Sequence, residues 1–345
     1  MNHMQLTELM GKMIPARMPV MITGKPGVGK TDSTETVTAS INYDLILTHP
    51  VVNEPVDYKG LPMPNGALGL ATEATFLPFG ELSRAINATR PTVWFFDDLG
   101  QASPSVQAAC MQLFLARRVN GHVLPDCITF VAASNRRVDR AGVSGILEPV
   151  KSRFVTIVEL EPDIDSWCMW AYAHNIPATL IAFLRYRPEL LCQFQATADL
   201  TNSPVPRTWS HLAKLESLGL SAPVEAEAMN GAVGSGAAGE YLAFRQMFQS
   251  LVNLDAILLD PDKAKIPTNT SELYATAVGL AGRANRGNFA RIATYATRLA
   301  VEADRGEFAV LLVRDAQRRD PDVQYSDAYV RMQCGPIGKL ISGRE

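Results

Sequence analysis

The sequence predicts an α/β fold, a mostly parallel sheet flanked by helices, followed by an all-helical second half. Three observations predict it. Strand-like apolar runs alternate with helical patterns over residues 1–160. The run Gly24-Lys25-Pro26-Gly27-Val28-Gly29-Lys30-Thr31 fits G-x-x-x-x-G-K-[ST] at every position and follows an apolar run, the context that a phosphate-cradling loop requires. Beyond Pro162 the strand signals fade. A chain of 345 residues, 47% hydrophobic and 19% charged, suits two or more cored units at about 100–200 residues per domain.

Taken in order, Leu6, Leu9, Met10 and Met13 fall at helical spacing, and Pro19-Val20-Met21-Ile22 reads as a buried strand ending in glycine. The polar, threonine-rich stretch to Ser40 must be a helix if the glycine motif is real, although its local propensity is poor. Residues 43–47 give a second strand. The stretch from Val52 to Pro78 is rich in Pro and Gly and holds Asn65-Gly66, a two-residue hairpin signal, so an excursion from the core is expected. A helix over residues 80–88 leads into Thr92-Val93-Trp94-Phe95-Phe96. That run has no polar break and suits a strand covered on both faces, in mid-sheet. Ser103 and Pro104 make an N-cap and first-turn pair for a helix with the stripe Val106, Ala109, Cys110, Leu113 and Phe114, closed by Gly121. Residues 128–133 and 155–158 supply two more strands. Helices are expected over residues 164–173, 177–186, 208–218, 241–252, 271–283 and 289–304, with breaks at 230–239, which carries four glycines, and at 261–267.

Composition excludes several classes. With 32 Lys plus Arg against 35 Asp plus Glu, the net charge of −3 gives no global basic field for nucleic acid or an anionic membrane. No apolar run approaches the roughly 20 residues that span a bilayer, and Met1-Asn2-His3-Met4-Gln5 has neither the basic nor the apolar region of a signal peptide. A cytoplasmic protein without membrane contact is the expectation. Cys110, Cys127, Cys168, Cys192 and Cys334 form no C-x-x-C pair and read as small buried hydrophobes, and the five His form no H-E-x-x-H. Disulfide and metal-hydrolase chemistry drop out.

The glycine motif carries the chemistry. Its backbone N–H groups close around phosphate oxygens, and a helix beginning at its end adds partial positive charge. Lys30 is placed to reach the β- and γ-phosphates of a nucleotide and Thr31 to ligate Mg²⁺, a motif that alone leaves kinase, GTPase, transporter and motor open. The second signature is the apolar strand ending in Asp97-Asp98. Asp97 is placed to hold the Mg²⁺ hydration shell, and Asp98 to polarise an attacking water.

With these residues the chain resembles the AAA+ ATPases of the MoxR-like, dynein-related branch, including versions found in phage genomes. Residues 96–102 followed by Pro104, Gln107, Met111 and Gln112 resemble the Walker B strand and the helix after it. Val131-Ala132-Ala133-Ser134-Asn135 resembles sensor 1, with Asn135 orienting the lytic water, and residues 146–154 resemble the segment ending in the arginine finger, Arg153. Arg140 is the alternative finger. Pro206-Arg207-Thr208-Trp209 resembles sensor 2, with Arg207 reaching the nucleotide in cis. The family usually has Glu where this chain has Asp98, which is shorter by about 1.5 Å and implies slow turnover.

The resemblance implies an AAA+ domain over residues 1–160 with a hairpin insert at about 56–79, where Tyr58, Lys59 and Phe76 are candidate client contacts. A helical lid over 161–252 and a helical extension over 253–345, separate or part of the lid, would follow, with ATP in the cleft between core and lid. It implies a homo-oligomeric ring, commonly a hexamer, that remodels or assembles a client, often one with a von Willebrand type A domain, in the cytoplasm of the host if phage-encoded. Two rivals stand beside this. One is a nucleic-acid-directed AAA+ helicase, loader or replication accessory, for which the cluster Arg136-Arg137-Val138-Asp139-Arg140 and the C-terminal arginines are candidate contacts. The other is a nucleotide-gated binding protein with slow hydrolysis. Trp167, Trp170 and Tyr172 are expected in a core.

Overall fold

The computed structural model describes residues 1–65, 73–139, 142, 145–251 and 253–342. It has two compact units, Met1–Asp163 with Phe194–Ala198, and Ile164–Gln193 with Asp199–Glu345. The first is an α/β core of P-loop type and the second is helical. Among the described residues no helix is long and apolar enough to cross a membrane.

Nine strands are described in the first unit: β1 (Val20–Gly24), β2 (Asp44–Thr48), β3 (Leu61–Asn65), β4 (Glu73–Leu77), β5 (Thr92–Phe96), β6 (Arg118–Val119), β7 (His122–Val123), β8 (Ile128–Asn135) and β9 (Thr156–Glu159). Five form a parallel sheet in the order β2-β5-β8-β1-β9. Parallel strands have helices on both faces, so the inner ones are mostly apolar. All five residues of β5 are buried, as are all eight of β8. The register sets Gly24 beside Asn135 and Phe96 beside both Thr48 and Ala132, which aligns the C-terminal ends of four strands along one edge. Beneath that edge Trp94, Phe96, Phe114, Phe130 and Phe154 form a chain of ring contacts with centroids 4.8–6.2 Å apart.

The threonine-rich segment is the helix Lys30–Ser40. It tolerates burial of Thr34 and Thr38 because each hydroxyl donates to the carbonyl four residues earlier, at 3.0 and 2.7 Å. Ser103 caps the helix Pro104–Ala116 as expected, its Oγ accepting from the Val106 N–H.

Three expectations need correction. β3 and β4 do form a hairpin, but Leu61 pairs with Leu77 and Asn65 with Glu73, so residues 66–72 connect them. A two-residue turn at Asn65-Gly66 would put Pro64 opposite residue 67 instead; Gly66 itself lies outside the described residues. The tight turn of this type is at Asn120-Gly121, with φ of 47° and 88° and Val119 paired to His122, because both residues tolerate left-handed backbone. Tyr58 is not an exposed contact: on the helix Pro55–Lys59 it is 1% exposed, stacks on Phe96 and hydrogen-bonds Thr48 Oγ1 at 3.1 Å. Cys334 is exposed rather than a buried hydrophobe.

In the second unit two apolar clusters share one helix. Thr270–Arg283 gives Ala275 and Val278 to a cluster around Phe183, Trp209 and Tyr241, and Leu273, Ala277, Leu280 and Ala281 to one around Phe289, Tyr295 and Leu312. Trp167 and Tyr172 lie in the first cluster, with Trp170 packed against it. Of the four glycines at 230–239, only Gly234, at φ 82°, separates helices, between Ala222–Val233 and Ser235–Leu251. The sequence pattern does not predict the helices Ala222–Val233 and Gly306–Arg319. Burial of charge is concentrated at Asp315, fully buried, whose carboxylate accepts from Arg185 Nη2 at 2.7 Å and Tyr172 Oη at 2.8 Å.

Candidate functional site

Gly24 ends β1, and a Cβ there would stand 2.7 Å from the Leu160 carbonyl oxygen, so no larger residue fits without backbone movement. Gly27 and Gly29 take φ of 74° and 94°, the left-handed region open to glycine. Between Gly24 and Gly29 the loop Lys25-Pro26-Gly27-Val28 turns back, and Gly29 becomes the N-cap of the helix Lys30–Ser40. First-turn N–H groups without intrahelical partners therefore gather at the end of the loop.

Lys30 is 7% exposed. Its ammonium donates to the carbonyls of Gly24 and Lys25 at 3.2 and 3.0 Å and to Asn135 Oδ1 at 2.7 Å. The next residue, Thr31, donates its hydroxyl to Asp97 Oδ2 at 2.6 Å. Asp97, just past β5, is also 7% exposed; its N–H continues the sheet to Thr48 O at 2.9 Å. Its other oxygen accepts the N–H of Asp98 at 3.0 Å.

Asp98 is half-buried, with φ 56° and ψ 33°. A left-handed backbone is uncommon outside glycine, and Asp and Asn are the side chains that tolerate it best. Asn135 at the end of β8 donates Nδ2 to Asp98 Oδ1 at 3.3 Å. One carboxamide thus bridges the Lys30 cation and the second carboxylate. Gly100, in the turn after Asp98, has no room for a side chain against Ser134 Oγ.

Lys30, Thr31, Asp97, Asp98 and Asn135 are therefore one connected network, drawn from two strand ends and one helix start. Asn135, the sensor 1 candidate, is part of it, whereas among the described residues the finger candidate Arg153 is not. Arg153 is half-buried; its Nε donates to Met111 O at 3.3 Å and its Nη1 to Pro149 O. Arg140 lies outside the described residues. Arg207 is exposed at the second position of the helix Pro206–Glu216, in the helical unit. Arg136, from the basic cluster, is held in ion pairs with Asp139 at 2.6 Å and Glu159 at 2.5 Å.

Sequence reasoning missed His3. Its Nδ1 lies 2.7 Å from Ser33 Oγ, and its Cε1 is 3.0 Å from where a Cβ on Gly29 would be. No local motif could have found it, because it is 26 positions upstream of Gly29 and reaches the loop only through packing of the helix His3–Met13.

No family model matches the chain, and no curated protein matches it. Solved structures do match. Thermotoga maritima RuvB, in the form of a point mutant, is 13% identical over 74% of this chain and 76% of that one, with a TM-score of 0.40. The same protein described as a Holliday junction branch migration motor is 14% identical over 74% and 76%, with a TM-score of 0.38. NtrX from Brucella abortus in complex with ADP is 11% identical over 96% of this chain and 66% of that one, with a TM-score of 0.36. Likeness of this degree fixes no function for the chain.

Proposed function

We propose that the chain is an ATP-hydrolysing AAA+ ATPase of MoxR-like type that acts as an oligomeric ring to remodel or help assemble a partner protein. The observation that carries this reading is the Asn135 bridge between Lys30 and Asp98, which ties a phosphate-binding lysine to a carboxylate suited to accept a proton.

The residues fit Mg²⁺-ATP. The loop of residues 24–31 offers backbone N–H groups and a buried ammonium that already donates to three oxygens, as it would to phosphate oxygens. Thr31 Oγ1 and Asp97 Oδ2 are hard oxygen donors within hydrogen-bond distance of each other, the type Mg²⁺ takes. Bound there, Mg²⁺ supplies charge neutralisation on the phosphates. The chain's own part is to hold the γ-phosphate with Lys30, to orient a water with Asn135, and to take that water's proton on Asp98. The half-buried position of Asp98 leaves it open to water while Asp97 is enclosed.

Arg153 supports the ring reading through its chemistry: a planar cation suited to developing phosphoryl charge, held by the backbone carbonyls of Met111 and Pro149. The β3–β4 hairpin stands before the acidic strand, where the MoxR-like resemblance places an insert, and supports that subtype. A client with a von Willebrand type A domain is the partner this subtype implies.

The test is ATP turnover per protomer in Mg²⁺ across a wide range of protein concentration, for the native chain and Arg153→Ala. Turnover that rises with concentration, and is lost in Arg153→Ala while nucleotide still binds, supports a site shared between subunits. Turnover independent of both concentration and Arg153 refutes the ring and the finger. Stimulation by DNA with steep inverse salt dependence would favour the nucleic-acid reading instead.

A further inference from the structure

The imidazole of His3 lies against Gly29, at the end of the phosphate loop. Gly29 has φ 94° and no side chain, so nothing of its own fixes its peptide planes. The His3 ring fills that side, with Cε1 and Nε2 at 3.0 and 3.7 Å from the place a Gly29 Cβ would take. The same ring bonds Ser33 Oγ at 2.7 Å, and Ser33 N donates to Gly29 O at 2.9 Å. Ring, serine and glycine therefore close a small loop of contacts around the start of the helix Lys30–Ser40.

Both ends of this arrangement are anchored. Ser33 is 6% exposed. His3 begins a helix that is capped by Asn2 and Gln5 and buries Leu6, Met10 and Met13. The charged groups acting on the ring are Asp32, from the helix Lys30–Ser40, and Asp163, after β9. Burial is the larger influence and lowers the ring's pKa, against both carboxylates and the Val28 backbone, which favour the charged form. In the neutral ring protonated at Nε2, Nδ1 accepts the Ser33 hydroxyl proton.

We propose that His3 is a positioning residue of the phosphate loop, holding Gly29 and Ser33 so that the loop N–H groups are aimed at phosphate before nucleotide arrives. It acts through Gly29, Ser33 and the Val28 backbone, all of the loop and the helix start, so it changes ATP affinity and leaves the chemical step unchanged. This rests on the nucleotide-site reading above. Loss of one such hydrogen bond and its packing corresponds to about a three- to tenfold weakening.

The experiment measures Mg²⁺-ATP dissociation constants and saturated turnover for the full chain and for His3→Leu, His3→Asn, Ser33→Ala, the His3→Leu/Ser33→Ala pair and Lys30→Ala. The expected result is that His3→Leu and Ser33→Ala each weaken ATP binding about three- to tenfold with turnover at saturation unchanged. The double variant should be no weaker than the worse single, and His3→Asn, which keeps an acceptor near the Nδ1 position, should recover most of the affinity. Unchanged affinity in both single variants overturns the proposal, as do additive effects or a fall confined to turnover. If His3→Leu fails to fold, Ser33→Ala decides by the same criteria. Lys30→Ala separates the two levels: if it binds ATP like the native chain, the nucleotide-site reading fails, whereas if it alone loses binding, only the role of His3 fails.

Discussion

Replacing Asp98 by Asn isolates the carboxylate from everything else the residue does. The position has φ 56° and ψ 33°, and Asn accepts that backbone as readily as Asp. The substitution preserves volume and keeps an oxygen that can accept the 3.3 Å bond from Asn135 Nδ2. Stability should stay within about 0.5 kcal/mol of native, and ATP affinity should be retained because Lys30 and Thr31 are untouched. Turnover should fall by about 10²–10⁴, the usual contribution of a general base, which is about 2.7–5.5 kcal/mol in the barrier. Glu is not an equivalent exchange here: it adds about 1.5 Å of reach to a backbone conformation that costs an ordinary L-residue about 1–2 kcal/mol. Asp98→Glu should therefore destabilise the first unit without accelerating turnover. The assay is phosphate release at saturating Mg²⁺-ATP, with the dissociation constant and a denaturant midpoint measured on the same samples. Asp98→Asn turnover within about threefold of native, with binding unchanged, would refute the assignment of Asp98 as the base.

Two further outcomes concern the helical unit. Asp315→Ala leaves the Arg185 guanidinium buried without its 2.7 Å partner and strands the Tyr172 hydroxyl. It should cost about 3–5 kcal/mol, read as an earlier denaturant transition, while replacing Arg185 and Asp315 together by apolar residues of similar volume should recover much of that loss. Glu225 is held below its ordinary pKa of 4.5 by hydrogen bonds from Arg245, so its contribution is complete above that value and is lost as pH falls through the lower folded one. Glu225→Gln should abolish that part of the acid-side loss of stability, as measured by thermal midpoints from about pH 7 down to about pH 3, across the range in which carboxylates titrate.

Much of the core was legible because burial on both faces of a parallel sheet demands unbroken apolar runs, and Thr92–Phe96 is such a run. The phosphate loop was legible because its glycines are required by backbone geometry, at Gly27 and Gly29 by positive φ and at Gly24 by close approach of Leu160. The hairpins were less so. Asn-Gly occurs at both 65–66 and 120–121, and the sequence offers no local reason why Asn120-Gly121 turns tightly while the pair at 65–66 is passed by the strand register. Register there is set by pairing along β3 and β4, not by the turn signal. The helix Ala222–Val233 leaves little periodic signal because its apolar positions are mostly alanine, which packs closely without marking a face. His3 and the left-handed Asp98 are products of tertiary packing, and neither is written in nearby residues.

The two adjacent acids lie on opposite sides of a boundary in local opening. The Asp97 amide is bonded to Thr48 O as part of the sheet, above a strand whose every side chain is buried, so it exchanges its proton only when the whole unit opens. The Asp98 amide is bonded to a side chain, Asp97 Oδ1, outside the sheet ladder, so its exchange should not require the sheet to open. Hydrogen exchange at the two neighbouring amides should therefore differ, that of Asp98 being the faster and that of Asp97 following the slowest part of the unit.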